Sequence, residues 1–127
     1  MDVICHGIDL VDCTRVQELV DKHGQRFLDR VFTPAEQQYS QRHRLQVERL
    51  SGRFAVKEAV MKMLGTGWQN GIAWTDIEVV NDPLGRPEVK LSGKVSEVAK
   101  DLGIEQVSVS ITHTKGLAVA SAIALGR

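Results

Sequence analysis

The sequence predicts an α+β fold: a strand, three helices, then antiparallel strands with one short helix among them. Three observations carry that expectation. Residues 3–11 alternate with a period of two. The middle of the chain, up to Gly67, is punctuated by helix start and stop signals. Alternation returns after Trp74, and two turn-rich stretches fold the later strands back as hairpins.

In the first strand Val3, Cys5, Gly7, Asp9 and Val11 share one face, and Ile4, His6, Ile8 and Leu10 the other. Asp9 is either a carboxylate on a mostly apolar strand or the first residue of a turn beyond it. Thr14-x-x-Gln17 reads as a capping box, with Asp12 as a rival cap, and the helix that follows buries Val16, Leu19 and Val20 before stopping near Gly24. Arg15, Lys22, Arg26 and Arg30 spread positive charge over this region, as solvated surface or as a docking face for an acidic partner. Thr33-Pro34-Ala35-Glu36 supplies a cap, a proline at the first helical position and a glutamate at the third, starting a helix that runs to the mid-forties. A central helix follows and closes at Gly65-Thr66-Gly67.

Beyond a loop over residues 67–71, residues 74–80 read as a strand, 81–87 as a turn and 89–91 as the returning strand. Ser92 caps a short helix with Val95, Val98, Ala99 and Leu102 on one face, stopped by Gly103. Residues 107–114 alternate cleanly, Lys115-Gly116 turns the chain, and residues 117–125 form the last strand. Ala118, Ala120, Ala122 and Ala124 give that strand a face of methyl groups, suited to very close packing against a helix or another subunit.

The composition fits one compact domain over residues 1–127: 43% of residues are hydrophobic and 25% charged. No apolar run is long enough to span a membrane. The N-terminus has an acid at position two and lacks the basic region of a signal peptide. Cys5 and Cys13 have no metal-site spacing and read as reduced thiols of a cytoplasmic protein. A net charge of zero gives no general pull toward nucleic acid. Residues 42–62, however, hold six Lys and Arg against two Glu, a local +4 with His43 in addition, which suits a small anion such as phosphate.

On a helical wheel, Leu50, Phe54, Met61 and Leu64 form an apolar arc that Val56, Ala59, Val60 and Met63 continue round the back. Two polar stripes remain: Ser51, Glu58 and Lys62, and Arg53 with Lys57. A helix apolar over most of its girth is buried, and buried charges need partners. Glu58 and Lys62 stand at i, i+4 and read equally as an ordinary helix pair, or as parts of a site in which the carboxylate holds a metal and the cations an anion. His113 ends an apolar row, as a core or edge residue or as a donor to phosphate.

No dinucleotide-binding glycine motif, P-loop, zinc-protease helix or nucleophile elbow occurs. What remains is Asp9, Glu58, Lys62, Arg53, Lys57 and His113. Two carboxylates from separate elements suit Mg²⁺, and neighbouring cations would neutralise charge growing on a phosphate leaving group.

Residues 54–62, FAVKEAVMK, resemble the FxxKEAxxK signature of the 4′-phosphopantetheinyl transferases, and Gly7-Ile8-Asp9 resembles their N-terminal strand motif. The likeness is greatest to the short bacterial type. It extends through residues 27–33 with Glu36, Gly65-Thr66-Gly67, Asp76-Ile77-Glu78-Val79, Asn81-Asp82, Gly85-Arg86-Pro87 and residues 108–114. The resemblance implies a 4′-phosphopantetheinyl transferase-like fold. The implied reaction transfers 4′-phosphopantetheine from coenzyme A to a serine of apo acyl carrier protein, releasing adenosine 3′,5′-bisphosphate, in the service of fatty acid biosynthesis. By the same resemblance, Asp9 and Glu58 hold Mg²⁺ against the pyrophosphate, and a metal-bound water, or a carboxylate acting through it, accepts the serine proton. Lys62 stabilises or protonates the leaving bisphosphate, and Arg53, Lys57, Pro87, His113 and Thr114 surround the coenzyme. Arg15 and Arg26 meet the acidic carrier, and the assembly is a homotrimer with sites between subunits. Cys5-His6-Gly7-Ile8 and the two tryptophans, Trp68 and Trp74, depart from the family pattern. Taken without the resemblance, the residues also admit a phosphotransferase for another nucleotide, a binding module without chemistry, or a structural trimer.

Overall fold

The computed structural model describes residues 1–41, 45–68 and 71–127. The basic residues Arg42, His43 and Arg44, which contribute to the expected positive segment, lie outside the described residues. In chain order the elements are β1 (Asp2–Asp12), α1 (Cys13–His23), α2 (Gln25–Val31), α3 (Pro34–Gln41) and α4 (Gln46–Leu64). A single 3₁₀ turn (Trp74–Asp76) leads into β2 (Ile77–Asn81), β3 (Pro87–Leu91), α5 (Gly93–Asp101), β4 (Ile104–Thr114) and β5 (Leu117–Gly126).

The α+β class and the antiparallel pairing are as the sequence predicts; the helix count before β2 is four among the described residues, not three. The additional helix, α2, is only seven residues long, too short to show helical periodicity, yet its Phe27, Leu28 and Val31 are buried on one side. Gly24, at φ 56°, turns the chain sharply between α1 and α2. Strand β1 runs to Asp12, so Asp9 is a strand residue rather than a turn residue. Asp12 wins the competition to cap α1: its carboxylate accepts from the Thr14 amide at 2.9 Å. The strand expected over residues 74–80 begins later, because its first three residues wind into the 3₁₀ turn, tied by the Ala73 amide to the Asp76 carboxylate at 3.2 Å.

The main sheet has the order β1–β5–β4, all antiparallel, and β2 pairs with β3 as a separate hairpin. On the inner face of the main sheet, Gly7 lies opposite Ala122 and Asp9 opposite Ala120, with Val109 and Ile111 beyond them on β4. Helix α4 packs across this face. The four alanines of β5 are at most 1% exposed, so it is a helix, not another subunit, that their methyl face receives. A Cβ on Gly7 would stand 2.1 Å from the Ala59 carbonyl oxygen, which shows how closely the β1 and α4 backbones meet. Phe27, Phe32, Leu50, Phe54, Val60 and Ile77 fill the core on the far side of α4. The outer face of the sheet is open: Ile8 is 60% and Leu10 61% exposed.

Candidate active site

The close approach at Gly7 sets up the site. Two residues further along β1, Asp9 projects from the same face toward α4, where Glu58 and Lys62 stand one turn apart. The Lys62 ammonium donates to Asp9 Oδ1 at 2.8 Å and to the Ile8 carbonyl at 3.2 Å. Its hydrogen bonds therefore cross to β1 rather than running along the helix. Glu58 is half-buried, and burial followed by the Asp9 charge pushes its carboxyl above the usual range. Arg15, a hydrogen bond from Trp68 and the charge of Lys62 oppose that shift. Asp9 in turn holds Lys62 above its ordinary value through their hydrogen bond and charge pairing.

A half-buried carboxylate whose ionisation is opposed by a second carboxylate nearby is a donor that a cation would relieve. Among the described residues no group of three or more His, Cys, Asp and Glu gathers to hold a metal. The Asp9–Glu58 pair nonetheless fits Mg²⁺, which takes one or two carboxylates and fills its remaining positions with water and substrate phosphates.

Arg53, Pro87 and His113 come together elsewhere on α4. They line one cleft of about 150 Å³ with Tyr39, Arg49 and Asn81. The Arg53 guanidinium lies 4.1 Å over the Tyr39 ring and donates to Asn81 Oδ1 at 2.5 Å, while its buried Nε has no partner. His113 Nε2 donates to the Glu48 carbonyl at 3.1 Å, pinning the imidazole to the first turn of α4. Thr114 is exposed at the end of β4, outside the lining of this cleft.

Lys57 is placed differently from the expectation. Its side chain is fully buried and its three N–H bonds are all spent within the protein. It pairs with Glu36 at 2.9 Å and donates to the carbonyls of Trp74, at 3.2 Å, and Ile77. Glu36, itself 1% exposed, also accepts from the amides of Thr33 and Val79, each at 2.9 Å. An ammonium with no free N–H and no exposure cannot reach a phosphate, so Lys57 is a tie between α4, α3 and β2.

Arg15 and Arg26 border a wider cleft of about 390 Å³ with Arg30 and His23, floored by Leu19, Phe27, Phe54 and Trp74. A further cleft of about 550 Å³ lies between β3, α5 and β4 and shares only Pro87 with the expected set.

Sequence reasoning missed Asn81 and the Ile8 carbonyl as groups that hold the site, and it gave Glu36 only a capping role. Glu36 does cap α3, with its amide bonded to Thr33 Oγ1 at 3.2 Å. Its second role needs Lys57, 21 residues away, and no local signal announces that. The paired tryptophans were a visible departure, but their stacking at 3.7 Å depends on the turn at Gly65 and Gly67.

Residues 6–120 match the family model of the 4′-phosphopantetheinyl transferase superfamily. The holo-[acyl-carrier-protein] synthase of Koribacter versatilis is 45% identical over 92% of this chain and 94% of its own. The crystal structure of the Neisseria meningitidis holo-[acyl-carrier-protein] synthase superposes with a TM-score of 0.89 at 31% identity, covering 98% of this chain and 99% of that one. The Helicobacter pylori holo-[acyl-carrier-protein] synthase in complex with coenzyme A gives 0.84 at 29% identity, over 94% and 99%. With the FxxKEAxxK helix, the Asp9–Glu58–Lys62 meeting and these likenesses in agreement, the chain belongs to the holo-[acyl-carrier-protein] synthases of the 4′-phosphopantetheinyl transferase superfamily.

Proposed function

We propose that this chain transfers the 4′-phosphopantetheine arm of coenzyme A to a serine of an apo acyl carrier protein, with adenosine 3′,5′-bisphosphate as the other product and Mg²⁺ required. Residues 1–127 act as one 4′-phosphopantetheinyl transferase domain. The observation that carries this reading is the meeting of Asp9, Glu58 and Lys62 across β1 and α4 in a member of this family.

Asp9 and Glu58 would hold the Mg²⁺ ion, which when bound supplies positive charge to the pyrophosphate. Lys62 keeps one N–H beyond those given to Asp9 and Ile8, and its exposed ammonium can donate to the departing bisphosphate. A carboxylate of this pair, acting directly or through a water, would accept the serine hydroxyl proton.

Arg53, Pro87 and His113 line the cleft for the nucleotide end of the coenzyme, with Thr114 the next residue along β4. The unpartnered Arg53 Nε supports an anion there. Coenzyme A in the Helicobacter pylori relative supports the choice of donor. The arginine-bordered cleft at Arg15 and Arg26 suits an acidic carrier. Exposed Ile8 and Leu10 on the outer sheet face support a homotrimer. No helix among the described residues is long and apolar enough to cross a membrane, in keeping with a cytoplasmic role in fatty acid biosynthesis.

The test is the intact mass of an apo acyl carrier protein incubated with this chain, coenzyme A and Mg²⁺. A gain of one phosphopantetheine arm, abolished by EDTA, is the expected outcome. No gain with several carriers, despite coenzyme A binding, would replace the reading with a binding module.

A further inference from the structure

Arg53 is 4% exposed, so its place at the cleft is set by the groups packed around it. Its guanidinium lies 4.1 Å over the Tyr39 ring of α3, and Nη2 donates to Asn81 Oδ1 at 2.5 Å. The buried Nε has no hydrogen-bond partner among the described residues, so the protein leaves part of this donor set unmet. Asn81 is the last residue of β2 and stands opposite Pro87, the first of β3, at the neck of the hairpin turn. Its Nδ2 donates to the Gly85 carbonyl inside that turn at 2.9 Å. Asp82 closes the turn independently: its carboxylate accepts from the amides of Leu84, at 2.9 Å, and Arg86, at 2.8 Å.

The two ends of the Asn81 amide therefore do different work. A guanidinium only donates and a backbone carbonyl only accepts, so one orientation of the amide serves both. Asn81 thus joins α4 to a turn that Asp82 already holds in shape. Gly85 and Pro87 from that turn, and His113 from β4, line the same cleft as Arg53 and Asn81. A long arginine side chain loses rotamer freedom when it meets an anion. One held beforehand by a ring and an amide loses less, and binding is stronger by the difference.

We propose that Asn81 is a positioning residue for coenzyme A: through one amide it fixes the Arg53 guanidinium against the turn that carries Gly85 and Pro87, preforming the cleft for an anionic nucleotide. The inference rests on the reading that this cleft takes the nucleotide end of the coenzyme. It adds to that reading the group that couples two walls of the cleft.

The test is binding of adenosine 3′,5′-bisphosphate to the intact protein, read by isothermal titration calorimetry in a double-mutant cycle. Arg53→Ala removes the guanidinium and should raise the dissociation constant about 100-fold. Asn81→Leu nearly keeps the side chain's size, removes both bonds of the amide and should raise it about 10-fold. In the Arg53→Ala background the same change should add less than about 2-fold, because Asn81 acts through the arginine. An equal factor in both backgrounds, as a residue that merely supports the hairpin would give, overturns the proposal. Asn81→Ala, with Tm measured for every variant, repeats the cycle, so that a leucine ill-fitted to the neck of the turn does not decide it. Unchanged binding in both Asn81 variants, with Arg53→Ala impaired, overturns the role of Asn81 alone. Equal binding by the unaltered protein and Arg53→Ala overturns the reading of the cleft, and the role of Asn81 with it.

Discussion

Glu58 is destabilised as an ion by its surroundings, and that has a measurable sign. Burial and Asp9 raise its carboxyl above the ordinary glutamate value of 4.5. The unfolded chain therefore loses this proton at lower pH than the folded protein does. Stability falls as pH rises from the ordinary value through the raised one, and stays reduced above it. Glu58→Gln removes that cost. Without divalent cations its Tm should exceed that of the unaltered protein at neutral pH, and the gap should close below the ordinary glutamate range. Adding Mg²⁺ should raise Tm only where Glu58 is present. Turnover should fall by about 10²–10⁴-fold. Melting curves at acid and neutral pH, with and without Mg²⁺, check the first three statements; equal Tm values at every pH would remove the strain assigned to Glu58.

At the scale of elements, α4 is the piece on which the others are hung. Its apolar girth was legible in the sequence, and the structure buries it as expected, leaving Glu58 half-exposed and Lys62 out in solvent. The two polar stripes were legible too, but their partners were not. The ammonium of Lys57 ties α4 to α3 and β2 through Glu36, and both side chains of the pair are wholly buried. Removing one partner of a buried pair strands the other as an uncompensated charge. Lys57→Met should thus cost about 3–5 kcal/mol of stability in urea denaturation. A loss below about 1 kcal/mol would mean that Glu36 is not left charged and unpaired. The contrast with Lys62 is instructive. Both are lysines on one helix within five positions, yet one is a tie in the core and the other is exposed beside Asp9.

At the scale of the molecule, the main sheet has two unlike faces. The inner one carries alanines and Gly7 and is sealed by α4. The outer one leaves Ile8 and Leu10 in solvent on the edge strand β1, beside Val119 and Ser121 of β5. Exposed apolar side chains on an edge strand invite association. Leu10→Glu places a charge on that face without touching the inner one. It should weaken self-association by about 2 kcal/mol per contact, roughly 30-fold, while leaving the circular dichroism of the monomer unchanged. Light scattering across a dilution series reads the difference. An assembly of unchanged size and affinity would show that subunits meet elsewhere.

The sequence alone determined the α+β class and the burial of α4, and it singled out Asp9, Glu58 and Lys62 as candidates, because each is written in a local period or a short motif; whether Asp9 stood on the strand or in a turn it left open. It also carried the start of α3, since a capping box lies within four consecutive residues. The seven-residue α2 was too short to leave a period. Only the tertiary structure decided which charges are spent. Lys57 and Glu36 are 21 residues apart, Lys62 and Asp9 53. Whether a cation on α4 meets substrate or protein depends on which element packs over it. A close approach such as Gly7 on Ala59 belongs to the folded chain and to no window of its sequence.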